Sequence, residues 1–267
     1  MGIFTTKNIL CIFLIIFTMS WVSCTQRPTK IIPNRIIDQN SQGTYTTLVE
    51  QTALVDVTTF AKPVGCKHGE SDEMKKLCEK LLEELPPIAT RVVGTGTFIR
   101  HDKKIKVISA AHVCVPDDIP AEIKNKEITL IIKTEITIDI LSQSFSTKGT
   151  IEKLDNENDL CLLSLGEEPS VLPVTFATEE PPRGSKIYYA GAPHGMMSDT
   201  FLMTFHGTFA GTLQSGLIFS LPCESGTSGS LIRDQHGNAF SMVQRMNPRF
   251  KHMCYGPRTE LLLKFLK

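Results

Sequence analysis

Apolar and polar residues alternate along much of this chain, the signature of half-buried strands. From Leu48 onward, Val49, Ala53, Val55 and Val57 take alternating positions with threonines between or near them. Short β-rich runs follow at 92–99, 104–109, 128–140, 160–165, 187–190, 201–210, 217–221 and 239–244, mostly separated by turn residues. Many short strands without intervening helices predict an antiparallel sandwich or barrels. Two segments break the pattern. Residues 62–87 interrupt the strands: Met74, Leu77, Cys78, Leu81, Leu82 and Leu85 recur at helical spacing, with Ser71 placed to cap the helix and Pro86-Pro87 to end it. The last segment opens at Pro257 and Thr259 and carries Leu261, Leu262, Phe265 and Leu266 on one side, predicting a closing helix. No internal repeat or low-complexity stretch is present.

The N-terminus follows different rules. Lys7 and Asn8 precede an apolar run over 9–22, which ends in Ser23 and Cys24. A basic start, a short apolar stretch and a small residue describe a secretory signal. The run is shorter than the ~20 residues a membrane-spanning helix needs. Val22-Ser23-Cys24 is also similar to the end of a bacterial lipoprotein signal, with Cys24 as lipid anchor, although Trp21 stands where leucine is usual. Lipidation, plain cleavage and retention as an anchor stay open. Met1-Gly2 with Thr6 matches a myristoylation pattern, but an export signal accounts better for the segment. Residues 25–45 are polar, carry Pro28 and Pro33, and read as a tether. The expected division is therefore signal or anchor over 1–24, tether over 25–45, and one domain over 46–267 with a helical insert at about 66–87.

Composition narrows the partners. The chain has 267 residues, room for one substantial core or two small ones, with 28 basic and 28 acidic side chains. A zero balance without a basic stripe argues against nucleic acid. Export permits disulfides. Beyond Cys11 and Cys24, six cysteines remain, and six allow 15 pairings. None has zinc-ligand spacing, so no structural metal is expected, and no cofactor motif is present. Cys66 opens the helical insert and Cys78 lies on its apolar face, so a Cys66–Cys78 bridge is favoured over two buried thiols.

Three segments combine chemically. Ser109-Ala110-Ala111-His112 follows an apolar strand, Asn158-Asp159 precedes another, and Gly226-Thr227-Ser228-Gly229 forms a glycine-flanked serine. A serine hydroxyl is a poor nucleophile until an imidazole takes its proton and later returns it to the leaving amine. A buried carboxylate sets the tautomer of that imidazole and stabilises its cation. Ser228 is thus the candidate nucleophile, His112 the base and Asp159 the orienting acid. Gly226 can turn the backbone so that its own amide and that of Ser228 face one developing oxyanion; Thr227 is replaceable in this reading. Each signal alone is common in structural roles. Their order, each at a strand end in a β-rich exported chain, is not. His194 and His206 lack the Ala-Ala-His context, Ser225 reads as loop, and Asp155, the alternative carboxylate, falls outside the apolar strand.

These segments resemble the histidine, aspartate and Gly-Asp-Ser-Gly motifs of the trypsin-like (chymotrypsin-fold) serine proteases. Arg183-Gly184-Ser185-Lys186-Ile187, Ala190-Gly191-Ala192-Pro193-His194-Gly195 and His206-Gly207-Thr208-Phe209-Ala210 are similar to stretches of the bacterial high-temperature-requirement proteases and of phage and viral enzymes. The resemblance runs from about Val49 to the end and implies an all-β fold: two antiparallel six-stranded β-barrels with a helical insert and a C-terminal helix, acting on peptide bonds in the cleft between the barrels. It also implies a Cys223–Cys254 disulfide beside the specificity pocket, and substrate pairing along the edge Ser241-Met242-Val243-Gln244-Arg245. Val243, Gln244 and Arg245 are the candidate substrate-binding residues, with Pro222 a further candidate for the pocket lining. Cys114 and Cys161 each follow a triad position by two residues; pairing and separate burial are both open. Ser230 and Leu231 stand where the family has glycine and proline, and Thr227 stands where digestive enzymes carry an activating aspartate. A peptide-binding PDZ domain is not expected. The expected partner is a protein or peptide substrate, at the cell envelope or outside the cell. The competing reading is a protease-fold binding protein that has lost catalysis; the Ser230-Leu231 departure is its best support. An α/β-hydrolase esterase would need the order Ser, Asp, His and βαβ alternation, neither of which is found.

Overall fold

The computed structural model describes residues 50–68, 71–115, 122–124, 128–198 and 200–267. The expected signal, Cys24 and the tether lie outside them. Fourteen strands are described: β1 (Thr52–His68), β2 (Ile88–His101), β3 (Lys104–Ser109), β4 (Glu122–Lys124), β5 (Ile128–Leu141), β6 (Ser146–Asp155), β7 (Leu160–Leu165), β8 (Lys186–Gly191), β9 (Met203–Leu213), β10 (Gly216–Ser220), β11 (Leu231–Asp234), β12 (Ala239–Met242), β13 (Arg245–Met246) and β14 (Met253–Gly256). Joining them are the α-helices α1 (Asp72–Glu84), the single turn α2 (Ala111–Cys114) and α3 (Thr259–Phe265), and a 3-10 turn at Pro193–Gly195.

The first sheet runs β1-β2-β3-β7-β6-β5-β4, and β5 pairs back onto β1, closing a six-stranded barrel with β4 appended. The alternation at Ala53, Val55 and Val57 points all three into this barrel, where they meet Phe98, Val107, Ile138, Ile140 and Leu163. The second sheet runs β12-β11-β8-β9-β10-β14-β13 around Tyr189, Phe209, Phe219 and Phe240. A third cluster joins the sheets. Ile99, Ile108, Leu160 and Leu162 of the first pack against Leu231, Ala239 and Met242 of the second, sealed by Leu262 and Phe265 of α3. This explains why 160–163 is apolar without alternation: Cys161 and Leu163 face the barrel interior, while Leu160 and Leu162 face the other sheet.

β1 and β5 extend beyond the barrel as a ribbon, with a register shift between Pro63 and Gly65. The predicted helix lies on this ribbon, with Leu77, Cys78 and Leu81 against Ile128, Leu130 and Ile132. Cys66 therefore sits on a strand rather than at the start of an insert, and it pairs with Cys78, their Cα atoms 5.7 Å apart. Cys223 pairs with Cys254 as the resemblance implied. The open question over Cys114 and Cys161 resolves as a third pair, Cα atoms 6.5 Å apart, joining α2 to β7. This crosslink closes a separation of 47 residues. On the chain-entropy argument, the double variant Cys114→Ala/Cys161→Ala is expected to lose about 4 kcal/mol of stability, read as a lower urea midpoint.

Candidate active site

β3 delivers the histidine. After Ser109 the chain makes one helical turn in which Ala111, Val113 and Cys114 are buried and His112 alone points outward. That turn is seated by a close approach: a Cβ on Gly94 would lie 2.5 Å from the Val113 methyls. The aspartate comes from the tight turn between β6 and β7. Asp159 has φ +53°, a left-handed conformation uncommon outside glycine. Its carboxylate accepts from the His112 backbone N–H at 3.0 Å and meets Nδ1 at 3.0 Å and 2.9 Å through its two oxygens. An ionised carboxylate only accepts, so in the neutral imidazole the proton sits on Nδ1 and the lone pair on Nε2. The ring is 44% exposed and the Asp159 side chain 10%.

Asp155, the rejected carboxylate, is part of this turn rather than a free surface group. It accepts from the Asn158 backbone at 2.9 Å and from Asn158 Nδ2 at 2.8 Å. Burial alone would raise its pKa, but these bonds and that from Glu157, with the charge of Lys153, hold it below the ordinary carboxylate value.

Ser228 lies in the loop between β10 and β11, and both sheets hold it. Its carbonyl accepts from the Thr95 backbone on β2 at 2.8 Å. Next to it, the Gly229 amide donates to Val243 at 2.8 Å, and the Val243 amide donates to Ser230 at 2.8 Å. Gly229, at φ +92°, presses on the histidine segment: a Cβ there would overlap the Thr95 carbonyl and Ser109 Oγ and sit 3.1 Å from the Ala110 nitrogen. Gly226, at φ +90°, is equally confined by Ala192 O and His194 N, each 2.6 Å from such a Cβ. The Ser225 carbonyl accepts from the His194 amide at 2.6 Å. In a trans peptide the N–H points opposite to the C=O, so this bond turns the Gly226 amide the other way. Among the described residues, neither the Gly226 nor the Ser228 amide donates to a protein acceptor.

The structure thus joins His112 to Asp159 and pins Ser228 beside the segment carrying His112. Among the described residues the Ser228 hydroxyl makes no hydrogen bond. Thr227 is not the replaceable residue the sequence suggested: it is buried, and its hydroxyl donates to Glu224 O at 2.7 Å and accepts from Glu224 N at 3.3 Å, closing the turn before the serine. Of the candidate substrate residues, Val243 is 2% exposed with both backbone groups engaged, and Ser241 is buried on Pro257 O. Arg245 is exposed. Gln244 turns its side chain toward the aspartate turn instead. Sequence reasoning missed Thr95, which is buried and bridges the two sheets: its hydroxyl donates to Gly226 O at 2.8 Å and accepts from Ala192 N at 3.0 Å. The available signal was its place between Gly94 and Gly96, two positions with no room for a Cβ. At the β2–β3 hairpin His101, Asp102 and Glu152 bring ligand atoms together. Lys106 Nζ already neutralises both carboxylates there, at 3.7 Å and 2.5 Å.

The family model for the trypsin-like peptidase domain matches residues 94–242, a span holding His112, Asp159 and Ser228. The chain belongs to this family. The chain also resembles solved structures in fold. The active form of the Rv3671c protease from M. tuberculosis superposes with a TM-score of 0.53 at 15% identity, covering 92% of this chain and 92% of that one. Its inactive form gives 0.54 at 15% identity, covering 88% and 98%. A serine-to-alanine mutant of the same M. tuberculosis protein, also inactive, gives 0.53 at 14%, covering 88% and 95%. At such identities the likeness is one of fold. No curated protein matches this trypsin-like chain in sequence.

Proposed function

We propose that this trypsin-like peptidase is a serine endopeptidase. Ser228 attacks the scissile carbonyl, His112 Nε2 takes its proton and returns it to the leaving amine, and Asp159 holds the imidazole tautomer. The Gly226 and Ser228 amides bind the tetrahedral oxyanion, and an acyl-enzyme on Ser228 is then hydrolysed by water. The carrying observation is the Asp159 carboxylate bound to both the backbone and the ring of His112, beside a serine loop tied to β2 through Thr95. Hydrogen bonds between nucleophile and base are often long before substrate binds, which accommodates a Ser228 hydroxyl that contacts no protein acceptor.

The same reading takes the second sheet as a closed barrel. β12 pairs with β11, and β13 pairs with β14. These two strands are one run interrupted only at Val243 and Gln244, so a single bent strand joins the two ends of the sheet. Exposed Arg245 and Met246 then border a cleft of about 540 Å3 that also includes Asp159, Leu213 and Tyr255. Neither His112 nor Ser228 lines this cleft, so the proposed contact for an extended peptide is the exposed Arg245 alone. Three cysteine pairs suit an oxidising compartment and support export of the chain.

Incubation of the full chain with a fluorophosphonate tests the reading. One label per chain, found by mass spectrometry on the peptide carrying Ser228, is the expected result. A folded chain that takes up no label would instead favour the protease-fold binding protein.

A further inference from the structure

Gln244 was expected to meet substrate, yet its carboxamide faces inward. Nε2 donates to Asn158 O at 2.6 Å and to Asp159 O at 2.8 Å. Two carbonyls facing one side-chain amide require its NH2 end, the only end with two protons to give. Those carbonyls belong to the two peptide planes that flank the Asp159 Cα. Fixing both planes fixes φ and ψ at that residue, and with them the direction in which its side chain leaves the backbone. This matters because Asp159 holds a left-handed conformation that a non-glycine residue does not favour. Gln244 itself is anchored by its backbone N–H, which donates to Tyr255 O at 3.0 Å, and by flanking strand pairing of Arg245 with Tyr255.

From this geometry we infer that Gln244 is a positioning residue: from the second sheet it locks the backbone of Asp159, and so aims the carboxylate that orients His112. The inference rests on the proposed serine-protease reading for its kinetic consequence, but not for its geometric one. It differs from a substrate contact in what it predicts. A residue that binds substrate changes KM, whereas one that aims the base changes kcat.

The test uses the full chain with Gln244→Ala and Gln244→Glu, the latter equal in size but without the donated protons. Hydrolysis of a peptide substrate is measured with the low-field proton resonance of His112 Nδ1–H. Both variants are expected to lower kcat roughly 10- to 100-fold, the scale of a ~1 Å misplacement, with KM within about 2-fold of wild type. The His112 resonance is expected to move or broaden in both. An unchanged resonance and kcat in folded Gln244→Glu would overturn the inference, as would a raised KM with kcat intact. Should wild type neither hydrolyse peptides nor label at Ser228, the protease reading fails. The resonance then decides the positioning role alone, movement supporting it and constancy refuting it. Loss of folding in Gln244→Ala leaves the decision to the isosteric variant.

Discussion

Replacing Ser228 by alanine is expected to lower kcat against a peptide substrate by roughly 10^4- to 10^6-fold, the largest effect of any single change in this chain. The substitution removes one oxygen from a half-buried position whose hydroxyl makes no hydrogen bond among the described residues, so folding should be undisturbed. The Thr95 and Val243 bonds that hold the loop use backbone atoms and survive. On the proposed mechanism the Gly226 and Ser228 amides remain and supply a residual rate over water. Steady-state kinetics with a matched urea unfolding curve checks this. A rate within tenfold of wild type at unchanged stability would remove Ser228 from the mechanism.

The second large effect is at Asp159. Asp159→Asn keeps the size of the side chain but changes what it offers. The carboxylate accepts from two donors at once, the His112 backbone N–H and Nδ1–H. An asparagine has one oxygen, and its NH2 must face the other donor. If the oxygen stays with the backbone, the amide confronts Nδ1, and the ring relaxes by moving its proton to Nε2. The base then presents a proton to Ser228 where a lone pair is needed. A fall in kcat of about 10^4-fold is expected, with KM little changed. Fluorophosphonate labelling of Ser228 should slow in parallel, since it needs the same activated hydroxyl. Labelling at the wild-type rate would show that Asp159 has no part in activating the serine.

Much of this was readable in the residues, and the unread parts share a cause. The strand over 160–165 was found at its observed bounds, because an apolar run ending in glycine has few alternatives. The strand starting at 104 and the closing helix were found equally well. β6 went unseen: Ser146–Asp155 alternates only weakly and carries charges, since much of its surface faces solvent. β11 and β14 are four residues each, too short for a period to declare itself. The candidates for chemistry stood out by type, but the residues that hold them did not. Thr95, Thr227 and Gln244 act through bonds to backbone carbonyls and amides, and residue type alone does not show which backbone groups a polar side chain will meet. Gln244 was assigned to substrate because the resemblance makes its segment an edge that pairs with peptide. The pairing of Cys114 with Cys161 depends on a fold that brings α2 to β7, which spacing alone left undecided.

The apolar layer shared between the sheets carries a consequence for how the molecule can be divided. Ile99, Ile108, Leu160 and Leu162 are as deeply covered as any residue in the barrel, yet their cover comes from the other half of the sequence. Cut between β7 and β8, the first fragment would present those four side chains to water and the second would bare Leu231 and Met242. Neither piece would keep that layer covered, and the proposed nucleophile and base lie on opposite sides of such a cut.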